Sequence, residues 1–448
     1  MGSRDPGQCI LMRGRRRIGK SSLVEEFLHR AEVPSLFFTA AGGTAESELA
    51  ELLESAATST LPERDLLVEA APASWNAALR LLAQVLPDDR PSVVVFDEVP
   101  YLMDRVDAFE GTLQRAWDRH LSKKPVLLLL VGSDLSMMEA LDSYDRPFHQ
   151  RGSEMVVGPL TPVDISEMLH LDAATAFDAT LITGGLPLIC AEWPVGASVW
   201  TFLKRALDDP ISALLVSAER SLAAEFPPQA MGREVLRAIG SGERTFSNIA
   251  RAAGGVAHST LSRATDVLID KRVVAADLPI SLRPSKERRY RVADSYLRFW
   301  LAFLDPHMAE IERGRGDLSL ARIKRQWTSW RGRAVEPLVR ESLARILPDA
   351  DLPTAPVIGG YWTRSNDVEI DIVGADREPV AKRLLFLGSI KWLENSPFDA
   401  HDLAALHKHR AALTDDPLPL VAVTRSGSTT AGLQATYGPA DLLQAWRG

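Results

Sequence analysis

The densest chemistry in this chain lies near its start, in Gly14-Arg-Arg-Arg-Ile-Gly19-Lys20-Ser21, which has the spacing G-x-x-x-x-G-K-S. Glycines at the two ends let backbone N–H groups close around phosphate oxygens, and a following helix N-terminus adds partial positive charge. Lys20 is predicted to reach the β- and γ-phosphates of a bound nucleotide, and the Ser21 hydroxyl to ligate magnesium. The candidate nucleotide-binding set is Gly14, Arg15, Arg16, Arg17, Ile18, Gly19, Lys20, Ser21 and Ser22. A second cluster is the acidic pair Asp97-Glu98, directly after the apolar run Val93-Val94-Val95-Phe96. Asp97 is placed to hold the metal through water, making Ser21 and Asp97 the candidate metal residues. Glu98 is placed to orient and deprotonate an attacking water. A glutamate in that position points to hydrolysis of ATP with Mg2+ rather than transfer to a small acceptor. Ser133 ends a third apolar run, Val126-Leu-Leu-Leu-Leu-Val131, at the place where a polar side chain can sense the γ-phosphate.

These residues need a scaffold that brings strand ends together. Cys9-Ile-Leu-Met12 reads as a buried strand, and Leu23, Val24, Phe27 and Leu28 as the apolar side of the helix after the loop. Pro34 to Ala40, Val93 to Phe96, Val126 to Val131 and Glu154 to Val157 supply four more strands. Continuous apolar runs of this kind suit strands covered on both faces. Strand and helix patterns that alternate predict a parallel sheet with helices on both sides, the nucleotide lying at the carboxyl ends of the strands.

Three stretches carry a resemblance: Gly14 to Leu23, Phe96-Asp-Glu-Val-Pro-Tyr-Leu102 and Gly132-Ser-Asp-Leu-Ser-Met-Met138. They resemble the archaeal-type P-loop ATPases of the AAA/STAND branch, and Gly184-Gly-Leu-Pro187 resembles the Gly-x-Pro motif of that branch's lid helices. Many members carry a winged helix and a C-terminal restriction-endonuclease-like domain of the PD-(D/E)xK type. The resemblance implies a catalytic set of Glu98, Lys20 and Ser133, with Arg151 either meeting the γ-phosphate of its own or a neighbouring subunit or lying on the surface as a solvated arginine. It also implies an adenine-holding segment before the first strand. Only about eight residues precede Cys9 here, so adenine preference rests on the resemblance alone.

The later chain divides by charge and pattern. Residues 188–229 read as helical lid and connector, and from Met231 the balance turns basic, with 13 Lys and Arg against 7 Asp and Glu across 231–300. Helices at 233–239, 246–252 and 259–270, a Gly254-Gly255 turn, and wing strands at 273–276 and 290–292 fit a winged helix-turn-helix. Ser259 and Thr260 are the expected caps of the third helix, whose Leu261, Val267 and Leu268 face inward. Arg263 on that helix, with Lys286, Arg288 and Arg289 near the wing tip, are the candidate DNA contacts, suited to phosphates and to no particular base sequence. Used as a packing module, the same wing would carry these charges in solvent. An aromatic helix, Tyr296-Leu-Arg-Phe-Trp300, reads as core.

From Trp330 an amphipathic helix is expected to reach Leu347, followed by strands at 368–372 and 384–392 and a last strand at 418–424. Glu336 on the helix, Asp371 on the first strand and Lys391 on the second resemble a nuclease centre. Ser389 stands where that pattern has a glutamate, which removes one hard anionic ligand for magnesium. An inert nuclease fold is therefore favoured over an active one. His401, His407 and His409 lack ligand spacing and are expected at the surface.

Length and composition frame these readings. The chain has 448 residues, 46% of them apolar and 25% charged, a net charge of −8, and two distant cysteines. That composition excludes collagen-like, disordered and disulfide-scaffold proteins. The longest apolar runs fall short of a membrane span, no signal peptide is visible, and buried free thiols suit a cytoplasmic location. The expected architecture is α/β: a P-loop ATPase parallel sheet (1–160), a helical lid and connector (161–229), a winged helix (230–312) and a smaller nuclease-like α/β domain (313–448). Two functions fit: an ATP-hydrolysing switch acting on or near DNA, or a nucleotide-gated scaffold whose nuclease fold is inert. Either could assemble with itself or with an unidentified protein partner.

Overall fold

The computed structural model describes residues 6–133, 135–141, 143, 144, 146–225 and 231–447. Asp134, within one of the matching stretches, lies outside them. The chain forms two compact units, Met1–Pro159 and Leu160–Gly448.

In the first unit five strands are all parallel: β1 (Gln8–Arg13), β2 (Ser35–Thr39), β3 (Ser92–Asp97), β4 (Val126–Gly132) and β5 (Ser153–Val156). Their order is β2-β3-β4-β1-β5, so β4 lies between the strand that enters the Gly14 loop and the strand that ends in Asp97. Every residue of β3 is buried, as its unbroken apolar run predicts. The loop after β1 leads into the helix Lys20–Ala31, whose Val24 is buried. Leu23 and Phe27 are 49% and 40% exposed, against expectation. One apolar line along this helix covers the sheet, and the neighbouring line does not.

The second unit begins with helices, where the lid and connector are expected, and continues into a three-helix winged module: Met231–Gly240, Phe246–Ala252 and His258–Asp270. Gly254 and Gly255 make the turn with φ of +89° and +76°, which side chains rarely adopt. Two of the sequence expectations for the third helix change. It starts at His258 after Ala257 with no side-chain cap, so Ser259 and Thr260 are already inside it. Its buried line is Leu261, Thr265 and Leu268, and Val267 turns outward because the helical repeat runs i, i+4, i+7. The wing is a hairpin of β6 (Val274–Asp277) and β7 (Arg289–Val292). The aromatic helix Ser295–Phe303 is core, with Phe299 and Trp300 at 0% and 1% exposure.

A mixed sheet closes the chain: β8 (Val357–Trp362), β9 (Glu369–Ala375), β10 (Leu384–Lys391), β11 (Leu420–Thr424) and β12 (Ala435–Tyr437). Its order is β12-β11-β10-β9-β8, with β9 antiparallel to both neighbours and β10, β11 and β12 parallel. The helix expected from Trp330 is instead two helices, Gly316–Ala334 and Glu336–Ile346, parted at Val335. Pro337 has no N–H for the carbonyl of Arg333 and its ring crowds that turn, so the first helix ends and the second starts afresh. The Arg333 carbonyl accepts from Arg298 Nη2 at 3.2 Å instead. One hydrophobic core joins lid, winged module and one face of this sheet, from Ile165 through Trp300 to Ile372 and Val423. Both cysteines are buried and free, and burial pushes their thiols up, Cys190 to about 11.

Candidate functional site

At the carboxyl ends of β1, β3 and β4 the predicted groups meet. Gly19 takes φ of +83°, a left-handed turn that aims the first helical N–H groups back toward the loop. Lys20 bends over that loop and its Nζ donates to the carbonyls of Gly14 (2.8 Å) and Arg15 (3.0 Å). Burial lowers the Lys20 pKa, opposed by the charges of Glu98 and Asp97, while the neighbouring Arg16 adds to the lowering. The Ser21 hydroxyl donates to Asp97 Oδ2 at 2.7 Å, so the two candidate metal residues are already adjacent. The other oxygen of Asp97 accepts from the amide of Glu98, which itself sits at φ of +54°. Ser133, at the end of β4, donates to both carboxylate oxygens of Glu98 at 3.0 and 2.9 Å. Two hard oxygens beside a cationic loop are the donor set that magnesium and a triphosphate require.

Three further groups crowd this end of the sheet. Arg16 Nη2 donates to the Tyr101 hydroxyl at 3.1 Å, and Arg16 Nε reaches Ser133 Oγ at 3.4 Å. Tyr101 was given no role by the sequence. Its place depends on the helix Val99–Arg105 turning back beside the loop, although its position three residues after Glu98 was a usable signal. Glu48, 1% exposed, accepts from the amides of Ala41 and Gly43 and so fixes the loop after β2.

Arg151 is not part of the cluster. Its guanidinium makes a bidentate pair with Asp118 (2.8 and 3.0 Å) and donates to the carbonyls of Pro147 and His149. A carboxylate matched to its fork holds it there and raises its pKa. The reading in which Arg151 meets the γ-phosphate of its own subunit is corrected accordingly.

Sterics give a direct test of the loop. A methyl group on Gly14 would lie 2.3 Å from Ile18 Cδ1 and 2.4 Å from the Val157 carbonyl oxygen. Backbone cannot yield to a Cβ cheaply, so Gly14→Ala is expected to cost about 1–3 kcal/mol and distort the loop. Titration with a fluorescent ATP analogue should show binding lost or weakened; unchanged affinity would argue against this loop as the phosphate site.

The DNA-contact candidates separate. Arg263, Lys286 and Arg288 are exposed. Arg289 is 7% exposed, bonded to Glu369 and Asn366, and stacked 4.5 Å over the Trp362 ring. It is corrected from a DNA contact to a link between wing and sheet. The wing itself is built into that sheet: the Ile280 amide donates to the Gly360 carbonyl, Ser281 bridges Val380, and Trp362 Nε1 donates to the Glu287 carbonyl. The start of the hairpin connection, 279–281, is therefore buried, while Leu282, Arg283, Pro284, Lys286 and Arg288 stay exposed.

Glu336 and Asp371 line one pocket with Glu369. A register shift between β8 and β9, opposite 370–373, places a bulge at Asp371 and re-aims it. Asp371 Oδ2 accepts from Ser389 Oγ (3.0 Å) and from the Ile390 amide (2.8 Å). Glu336 pairs with Arg340 at 3.1 Å. Burial raises the pKa of both Glu336 and Asp371. Lys391 does not join them. It pairs with Asp402 in the first turn of the helix Ala400–Leu413, on the face where Leu387 and Leu406 form a separate core. The expected convergence of Glu336, Asp371 and Lys391 is corrected: Asp402 holds the Lys391 ammonium, and the bulge on β9 re-aims Asp371 away from it. Among the described residues no group of three His, Cys, Asp or Glu side chains is placed to hold a metal. His409 is half-buried, its ring bonded to the Glu369 carbonyl at 2.8 Å.

Comparison with known proteins adds the following. Residues 300–403 match the family DUF234, described as archaea bacterial proteins of unknown function. The uncharacterized protein MJECL04 of Methanocaldococcus jannaschii is 24% identical over 392 residues, covering 86% of this chain and 83% of that protein. Among solved structures, the Walker-type ATPase PABY2304 of Pyrococcus abyssi is 18% identical with a TM-score of 0.45, covering 66% of this chain and 91% of that one. The ORC2 protein of Aeropyrum pernix, in ADPNP–ADP complexes, is 13% identical with a TM-score of 0.41, covering 71% and 88%.

Proposed function

We propose that this protein is an ATP-binding and ATP-hydrolysing switch whose hydrolytic centre is formed by the loop 14–22 with Asp97, Glu98 and Ser133. The observation that carries the reading is the hydrogen-bonded chain Ser21–Asp97 and Glu98–Ser133 at one end of the parallel sheet, beside the buried Lys20. Glycine-loop amides and Lys20 bind and orient the phosphates. Ser21 and Asp97 would hold magnesium, which supplies charge neutralisation at the phosphates. Glu98 takes the proton of the attacking water, and Ser133 sets the direction of its carboxylate. Phosphate release from ATP by the full chain, with and without magnesium, tests this directly. No turnover and no nucleotide binding would end the assignment.

An action on or near DNA is supported by the exposed Arg263, Lys286 and Arg288. Such contacts neutralise phosphates without reading bases. In Lys286→Ala/Arg288→Ala, binding to a DNA duplex is expected to weaken alike for unrelated sequences, with the salt slope reduced by about 2. Unchanged affinity and slope would favour the scaffold reading, in which the winged module only packs.

We infer that the C-terminal sheet does not cleave DNA. Ser389 at a glutamate position, Lys391 held by Asp402 and Glu369 neutralised by Arg289 support this. DNA incubated with magnesium or manganese should stay intact with wild type and Asp371→Ala alike; cleavage lost only in the variant would reverse the inference. Two buried free thiols fit a reducing, cytoplasmic location.

A further inference from the structure

The pocket between the wing, the aromatic helix and β9 is lined by six arginines and four carboxylates, an imbalance that the ion pairs do not remove. Arg289 takes Glu369 at 2.5 Å, Arg291 takes Asp277 at 2.8 Å, and Arg340 takes Glu336 at 3.1 Å. Arg244 stands 3.7 Å from Glu369, which Arg289 already occupies. The fourth carboxylate, Asp371, is satisfied by the Ser389 hydroxyl and the Ile390 amide. Arg298 and Arg333 are left with no carboxylate partner among the described residues. Arg298 donates to the backbone carbonyl of Arg333, which uses one part of a five-donor fork.

Like charges gathered in a partly enclosed pocket are screened less than on an open surface, and so repel more. A pocket that keeps two unpaired guanidinium groups beside already paired ones is arranged for an anion. Planar forks in particular match the oxygens of phosphate. The cavity measures about 40 Å³. At about 10–15 Å³ for each water it has room for about three water molecules, the size of one tetrahedral oxyanion and far too small for a nucleotide.

We propose that this pocket binds a single phosphate group, held by Arg298 and Arg333 with Arg244 at its side. The phosphate comes as free inorganic phosphate or as the terminal phosphate of a nucleic-acid strand, the two having the same recognisable chemistry. This goes beyond the ATPase reading and does not depend on it. The residues come from the winged module, from the end of the helix Gly316–Ala334 and from the start of the next helix, so a bound anion would fasten these segments to one another.

The test uses the full chain carrying Lys20→Ala, so that phosphate binding at the glycine loop is weakened and is common to every sample. Inorganic phosphate is titrated against chloride at equal ionic strength, and the thermal midpoint is followed. A phosphate-specific rise is expected, and Arg298→Gln/Arg333→Gln should raise the apparent Kd about ten- to hundredfold. Arg333 is exposed, so Arg333→Gln alone keeps the fold and should still weaken phosphate binding. An equal rise with chloride, or an unaltered phosphate response in both variants, overturns the site. Short oligonucleotides separate the two sources. Competition by a 5′-phosphorylated strand and not by its 5′-hydroxyl twin identifies a strand end, and no competition by either identifies the free anion. Equal competition by both would mean a general polyanion surface and overturn the single-phosphate pocket.

Discussion

Lys20→Ala is expected to lower ATP turnover by about a hundred- to a thousandfold, the usual cost of removing one preorganised charge from the oxygens that gain charge during reaction. The structure makes this substitution clean. Lys20 is buried and its ammonium donates to two loop carbonyls, so its loss breaks no direct ion pair, and Asp97 keeps its hydrogen bonds from Ser21 and the Glu98 amide. Glu98→Gln should lower turnover comparably while leaving nucleotide affinity near wild type, because general bases contribute about a hundred- to ten-thousandfold to rate and little to ground-state binding. The amide can still accept from Ser133, so the local hydrogen bonding survives. The pair of variants discriminates roles: turnover with magnesium-ATP and binding of an ATP analogue should fall together in Lys20→Ala and part in Glu98→Gln. If both variants hydrolyse ATP at the wild-type rate, the centre lies elsewhere and the loop 14–22 is structural.

That centre was legible in the sequence because its chemistry is local. Phosphate recognition uses consecutive backbone amides, so a strand, a glycine loop and a helix declare it within about twenty residues. The buried run ending in Asp97 and the run ending in Ser133 declare strand exits in the same way, and the sheet order then brings three exits together. What the sequence did not reveal depends on distant partners. Arg289 reads as one more wing-tip cation until Glu369, 80 positions later, takes it out of solvent. Arg151 reads as a free arginine until Asp118 supplies its fork. Lys391 and Asp371 alternate correctly along their strands, yet the bulge on β9 and the pull of Asp402 send them to different surroundings. Strand β8 was missed because it carries two glycines and follows a proline-rich stretch, and β12 because three residues show no period. The break at Val335, by contrast, was available in advance from Pro337.

Arg331→Met is expected to destabilise the unit 160–448 by about 3–5 kcal/mol, because removing one partner of a buried ion pair leaves the other charge uncompensated. Arg331 is 0% exposed; its Nη1 reaches Asp178 at 3.1 Å and Glu394 at 2.5 Å, and its Nη2 donates to the Trp392 carbonyl. Asp178, 4% exposed, also takes Arg425 at 3.1 Å, and Phe177 packs edge-on against Trp392. This knot ties the lid helix Ala173–Thr183 to the helix Gly316–Ala334 and to the residues that follow β10 and β11. Methionine keeps the stem's packing and deletes only the charge, so the measured loss isolates the electrostatics. Asp178→Leu should be comparably costly, since it strands two arginines on one exposed glutamate. Replacing all three groups, as Asp178→Leu/Arg331→Met/Arg425→Met, should recover much of the loss, for apolar packing commonly matches a buried charge cluster in stability. Thermal unfolding of the three variants beside wild type reads the pattern. A single substitution shifting the midpoint by no more than a surface change, or a triple variant worse than the sum of the singles, would show that this knot is not what fastens lid to sheet. If the knot does hold, the helix Ala173–Thr183 and the C-terminal sheet move as one body.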